Sequence, residues 1–255
     1  MAKLIIILFL IFPSICFSNE KGYQIAVEAN LRDKGFKNNT ANLTMVLKDK
    51  YGQTTTRKIR NRTLEGINDG DKSLVIFDSP GDVRGTSFLS HTKKKGSDDQ
   101  WLFLPALKRV KRIASSNKAG PFMGSEFAYE DIASQELEKY NYKYLKDDNI
   151  NGLDCFIVEF DPVDPKSGYS TQKVWIDKKH FRYQKIEFFD RKKSLLKTLI
   201  YKNYNIYLDK FWRANNLVMK NLQTGKETEL IFSDWKFNVN LSEKDFHKNA
   251  LKKIK

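Results

Sequence analysis

From Asn42 onward the apolar positions of the chain alternate with polar ones at a period of two. Leu43, Met45 and Leu47 share one side as far as a turn at Lys50-Tyr51-Gly52-Gln53. A second run, from Thr54 to Leu64, follows. Similar runs recur at 72–78, 84–91, 100–104, 108–113, 138–147, 153–160, 171–177, 182–189, 195–208, 212–222 and 227–240. Turn-forming stretches divide them: Ser79-Pro80-Gly81-Asp82, Lys95-Gly96-Ser97, Asn151-Gly152 and Thr224-Gly225-Lys226. About a dozen short strands at hairpin spacing predict a mainly β protein built as an antiparallel meander. The long helical crossovers of a parallel sheet are missing. In the last strand Ile231, Trp235, Phe237 and Val239 are expected on one face, with Asp234, Lys236 and Asn238 on the other.

The period changes at both ends of this region. Tyr23, Val27 and Leu31 stand at i, i+4 and i+8 with Ala26 beside them, which predicts a helix over Tyr23–Lys34. Gly35 is placed to end it in a left-handed residue, with Phe36 folding back onto Leu31. After the strands, Leu241 and Phe246 flank Ser242 as a hydrophobic staple around an N-cap, with Asp245 three residues on. No repeat or linker interrupts the pattern, so residues 19–255 are expected to form one domain.

The first eighteen residues read differently. A positive start at Lys3, an apolar run from Leu4 to Ile15 and small residues at Cys16 and Ser18 form the pattern of a cleaved secretory signal peptide, cut before Asn19. The run is short for a bilayer span, which disfavours an uncleaved anchor. Bulky Ile15 disfavours a lipid-modified Cys16. An exported, soluble, monomeric protein follows. Its formal net charge of +14 then points to phospholipid headgroups, lipopolysaccharide or acidic proteins rather than nucleic acid, although part of a lysine-rich excess serves solubility alone. With Cys16 gone, Cys155 is the one remaining cysteine, excluding an intrachain disulfide. Its apolar run marks it as a small buried hydrophobe.

Motifs for catalysis are missing. His91, His180 and His247 share no ligand spacing and read as isolated polar surface residues. The pairs Asp98-Asp99 and Asp147-Asp148 read as solvated turn residues. There is no nucleophile elbow, phosphate loop or dinucleotide fingerprint. No catalytic residue, metal ligand or cofactor is therefore expected.

The segment 84–131 carries the remaining signal. Trp101 to Leu104 is apolar at every position, so either something covers its outer face or its inner face lines a space for an apolar guest. On the return strand Lys108 and Arg112 alternate with Arg109 and Lys111. They either protect a sheet edge or place cations where an anionic headgroup would sit. Between Gly120 and Asp131, Phe122, Met123, Phe127 and Tyr129 lie next to glycines, with Ser125 placed to cap a short turn. That composition suits either a closing lid or a core-plugging loop.

Three blocks here, Arg84-Gly-Thr-Ser-Phe-Leu89, Trp101-Leu-Phe-Leu-Pro-Ala-Leu-Lys-Arg-Val-Lys-Arg-Ile113 and Phe122-Met-Gly-Ser-Glu-Phe-Ala-Tyr-Glu-Asp131, resemble signature segments of the outer-membrane lipoprotein-sorting proteins of the LolA-like superfamily, in a branch distinct from LolA itself. Pro121 and Glu126 are minor departures, and the lid-contact motif of LolA is not matched. The resemblance implies an antiparallel open (incomplete) β-barrel of about 11–12 strands with short helices over its mouth, a hydrophobic cavity and no catalysis. It also implies a periplasmic carrier of lipids or acylated lipoproteins working with an inner-membrane lipid exporter of RND or ABC type and touching membranes transiently. On this reading Leu102, Leu104, Trp175, Trp235 and Phe237 line or back the cavity. Phe122, Met123, Phe127 and Tyr129 close it, and Arg84, Lys108 and Arg109 attend a headgroup or membrane. Two rivals stay open: an assembly factor that docks on a membrane complex without cargo, and a hydrolase of lipid-like substrates.

Overall fold

The computed structural model describes residues 14–253. Residues 1–13 of the expected signal peptide lie outside the described residues. One α-helix, α1 (Ser14–Asp33), precedes thirteen strands. The first half comprises β1 (Asn38–Lys48), β2 (Thr54–Leu64), β3 (Lys72–Ser79), β4 (Ser87–His91), β5 (Asp99–Leu104) and β6 (Arg109–Ile113). The second comprises β7 (Tyr140–Ile150), β8 (Leu153–Pro162), β9 (Tyr169–Asp177), β10 (Tyr183–Asp190), β11 (Leu195–Tyr207), β12 (Phe211–Asn221) and β13 (Glu227–Phe237). No helix among the described residues is long and apolar enough to cross a membrane.

All thirteen strands join one antiparallel sheet in the order β6-β5-β4-β3-β2-β1-β13-β12-β11-β10-β9-β8-β7. Every neighbour is a hairpin partner except β1 and β13, which pair first strand with last. The edges are β6 and β7, consecutive in sequence, so the sheet stays open and the irregular segment 114–139 spans its seam. Antiparallel register sends the connections alternately to two ends. One end, the mouth, carries 65–71, 92–98, 178–182 and 208–210; the base carries 49–53, 80–86, 105–108, 163–168 and 222–226.

The main core fills the inside of the curved sheet, where Met45, Ile59, Phe77, Phe88, Val158, Phe160, Val174, Ile186 and Met219 are buried. Two smaller clusters lie outside it. Leu74, Ile76 and Leu89 are covered by Phe246 and Leu251 from the C-terminal turns Glu243–Phe246 and Ala250–Lys253. Trp101 and Phe103 pack on this cluster, whereas Leu102 belongs to the main core. The doubly apolar β5 is therefore apolar because the chain's own end covers its outer face. The expected staple is present: Leu241 and Phe246 share this cluster, and the Ser242 amide donates to Asp245 Oδ2 at 2.8 Å. Cys155 is buried with Ile157 and Trp175 in the third cluster, and burial pushes its thiol up to about 11.

Docking of α1 departs from expectation. Among its residues whose burial is described, Gly22, Ile25 and Ala26 are buried, while Tyr23 and Leu31 are exposed. Size decides this. A Cβ at Gly22 would stand 2.6 Å from the Tyr144 nitrogen and 2.8 Å from the Lys143 carbonyl carbon, so helix and strand backbones approach only because side-chain bulk is missing. Gly35 does end the helix at φ +98°, but Phe36 turns to Phe211, ring centroids 6.4 Å apart, rather than to exposed Leu31.

Candidate functional site: a cavity at the mouth of the open barrel

Side chains of α1 and of the mouth-side halves of β10–β13, together with Tyr142 of β7 and Phe160 of β8, line a cavity of about 750 Å³, within the range that takes a drug-sized ligand. Ala26 and Ala29 form its helical wall; their small size leaves the space open. Phe160, Leu217, Phe232 and Trp235 supply apolar sheet wall, and Tyr142, Tyr183, Tyr201 and Tyr204 add phenols. Aromatic rings run almost continuously. Tyr142 meets Phe160 at 4.7 Å, Phe160 meets Tyr183 at 6.3 Å, and Tyr183 meets Tyr201 at 6.1 Å between centroids. On the far wall Phe232 and Trp235 stack at 5.2 Å and 18°.

A bulge makes that last pair possible. Asp234 takes φ 54°, and the pairing of β1 with β13 jumps between Thr40↔Lys236 and Asn42↔Ser233. The extra residue resets the alternation. Phe232 and Trp235 thus share the inner face, and Ile231, expected beside Trp235, lies on the other.

Ionic contacts fasten the helix end over this space. Arg32 donates to the Lys179 carbonyl at 2.9 Å and lies 4.4 Å from the Phe181 ring centroid. Asp33 pairs with Arg213, whose guanidinium sits 5.5–6.0 Å from the rings of Phe36, Phe211, Trp235 and Phe237. Lys210 donates to the Lys34 carbonyl at 2.6 Å, and Lys34 stands 3.9 Å from Asp71. Arg182 lies 4.8 Å from Tyr204 and 4.6 Å from Trp212 and is held at 2.8 Å by buried Asp177. Burial raises the Asp177 carboxyl, but Arg182, the His180 amide and Gln184 outweigh it and hold it below the usual range. Burial also pushes the phenols of Tyr183 and Tyr201 far up, so both stay neutral donors.

Of the nine residues expected at the cavity, Trp235 lines it. Phe237 stands behind it, stacked on Trp235 at 6.1 Å and on Phe211 at 5.9 Å. Trp175 faces the opposite side of the sheet, its indole donating to Asp148 at 2.8 Å, because Val174 and Ile176 take the inward positions of β9. Leu102 is buried in the core with Leu104 packed beside it, away from the cavity.

The segment expected as a lid forms a plug at the base. Phe122 is 1% exposed and packs 5.1 Å from Phe88, 5.5 Å from Tyr129 and 6.0 Å from Phe77. Phe127 is buried and Met123 packs against the same core. Hydrogen bonds pin the loop. The Phe122 amide donates to the Phe127 carbonyl at 2.7 Å, and Ser125 Oγ donates to the Phe122 carbonyl at 2.7 Å, closing the turn instead of capping a helix. Beneath it Lys197, at an inward position of β11, pairs with Asp131 at 2.8 Å and donates to the Glu126 carbonyl at 2.8 Å. An alternating-strand lysine beside Leu199 was the available signal for that contact.

Arg84, Lys108 and Arg109 also lie at the base. A Cβ on Gly85 would come 3.2 Å from Pro105 Cγ, which brings the Arg84 turn against the β5–β6 hairpin. The structure thus gathers the three cations at the end opposite the cavity mouth. Other residues are less isolated than the sequence implied. His91 packs on Trp101 at 5.0 Å and bonds the Phe246 carbonyl at 2.7 Å, while His180 lines the cavity and packs on Trp212. Asp147 and Asp148 lie within β7 and bind Lys178 and Trp175; Asp98 and Asp99 pair with Lys139, Lys93 and Arg112.

Comparison with known proteins places this arrangement. A family model described only as "Uncharacterized protein" matches residues 69–253. No curated protein matches the chain. Among solved structures, an outer membrane lipoprotein-sorting protein domain from Vibrio parahaemolyticus is 56% identical, covers 92% of this chain and 99% of its own, and superposes with a TM-score of 0.90. A DUF1329 family protein from Desulfovibrio piger is 28% identical over 92% of this chain and 99% of its own, with a TM-score of 0.86. A LolA superfamily protein from Nitrosomonas europaea, 24% identical over 90% and 99%, shares the fold with a TM-score of 0.71. With the open antiparallel barrel of the LolA superfamily protein in common, and 56% identity over nearly the whole Vibrio domain, the chain belongs to the family of that outer membrane lipoprotein-sorting protein domain.

Proposed function

We propose that this protein is a periplasmic carrier that holds acyl chains of a lipid or acylated lipoprotein in the mouth cavity. It moves them between an inner-membrane exporter and the outer membrane without chemistry. The observation that carries this reading is the cavity itself, about 750 Å³, walled by alanines and aromatic rings and covered by a helix end that ion pairs and hydrogen bonds hold. An acyl chain burying about twelve methylenes gains roughly 10 kcal/mol before the costs of ordering it. Release then needs the helix contacts to part. The description of the Vibrio relative as a lipoprotein-sorting domain supports the same class of cargo. The signal peptide at 1–18 would deliver the chain to that compartment. The basic base end, with Arg84, Lys108, Arg109 and exposed Leu107, is the surface we assign to transient membrane contact.

Uptake of a fluorescent fatty acid tests the cavity. Leu217→Trp fills the wall and should weaken uptake at least tenfold while the melting temperature holds. Wild-type protein that takes up no probe, and that native mass spectrometry shows as bare polypeptide, would refute the carrier reading.

A further inference from the structure

Among the described residues the cavity holds one buried charged group that the mouth contacts leave over. Glu136, on the segment spanning the seam, is 3% exposed and lines the cavity. The neighbouring carboxylates are matched: Asp33 by Arg213, and Asp71 by Lys34, the Gly66 amide and Ser134 Oγ. Among the described residues Glu136 has no hydrogen-bond donor and no ion pair on its carboxylate. Lys34 attracts it only from beyond contact distance, and burial raises its pKa. Its seat is nevertheless shaped: Gly70 lies so close that a Cβ there would meet Oε1 at 2.9 Å. A buried carboxylate without a partner is costly, so one persists where a ligand supplies the partner. The same cavity carries the linked rings of Tyr142, Phe160, Tyr183 and Tyr201, the kind of wall that attracts cations through ring faces.

We propose that the cavity takes an amphiphile whose polar end is an ammonium group, seated on Glu136 with its apolar body along the aromatic wall. This rests on the carrier reading and narrows it to cargo bearing an amine near its acyl chains. Proton count and charge close. A primary ammonium, protonated at neutral pH, leaves water to pair with ionised Glu136, so the one unmatched buried charge becomes half of an ion pair and no proton needs to move.

Binding of dodecylamine, dodecanol and dodecanoate, measured by calorimetry at pH 7.5, isolates the head group at constant chain length. Dodecylamine should bind at least tenfold more tightly than dodecanol, and Glu136→Gln should erase that preference while leaving dodecanol affinity within about twofold. Tyr183→Leu, which leaves the carboxylate in place, should reduce the preference severalfold. Equal binding of the three probes, or a preference that survives Glu136→Gln in folded protein, overturns the inference while the carrier reading stands. Failure of all three to bind overturns the carrier reading and the inference with it. Ethanolamine, the head without the chain, should bind at least a hundredfold more weakly; comparable binding would make this a site for a free amine and overturn the amphiphile.

Discussion

Phe122 separates two accounts of the segment 120–131, a lid that opens for cargo and a plug that seals the base. Its ring is 1% exposed and packs on Phe77, Phe88 and Tyr129 at 6.0, 5.1 and 5.5 Å between centroids. Truncating such a residue to alanine removes the transfer energy of the ring and leaves a cavity, together about 3–5 kcal/mol. For a domain of this size each kcal/mol lowers the melting temperature by about 2–4 °C, so Phe122→Ala should melt about 6–20 °C below the wild type. Calorimetry reads this directly. Fatty-acid uptake, measured well below the new transition, should change little because the cavity wall lies elsewhere. A fall of less than about 1 kcal/mol accompanied by lost uptake would refute the plug. The glycines of this loop belong to the same argument: Gly124 takes φ +77° and Met123 φ 50° so that the chain can reverse tightly beneath the core.

Three further outcomes follow from the geometry. Gly22→Ala gains at most about 1 kcal/mol of helix propensity but drives a Cβ to 2.6 Å from the Tyr144 backbone; amide exchange along α1 should accelerate, and a raised melting temperature with unchanged exchange would count against the close approach. Asp177→Ala strands Arg182, Gln184 and the His180 amide, which should cost about 3–5 kcal/mol in denaturant unfolding, and a loss below 1 kcal/mol would show that Arg182 is held by its rings alone. Burial holds His91 below its ordinary value, outweighing the opposing pull of the Phe246 carbonyl; as pH falls through 6.5 the unfolded chain takes the proton first, so stability should drop there, and His91→Leu should flatten that part of the profile.

The alternation of apolar and polar residues was enough to place the strands, since each strand overlaps one of the expected runs, but their ends moved: β1 begins at Asn38 rather than Asn42, β4 at Ser87 rather than Arg84, and β13 stops at Phe237 rather than residue 240. What alternation does not record is which end of a strand a side chain occupies, or what covers a face. Trp101 and Phe103 signalled a second apolar surface, and both a guest and a covering segment were compatible with it. The covering segment is the chain's own Phe246 and Leu251, more than a hundred residues away. The cavity depended on an irregularity: without the extra residue at Asp234, Phe232 and Trp235 would stand on opposite faces. The family blocks misled about place because they form the plug and the base hairpin, segments that hold the barrel rather than line it. Charged residues at inward positions carry the complementary lesson. Lys197 breaks the apolar side of β11 and proves to clamp the plug. Arg182 and Arg213 flank the apolar starts of β10 and β12 and prove to brace the mouth. Each of these interior charges has its partner within the chain. Among the described residues Glu136 has none, and for a carboxylate so buried that difference is the strongest pointer to what enters from outside.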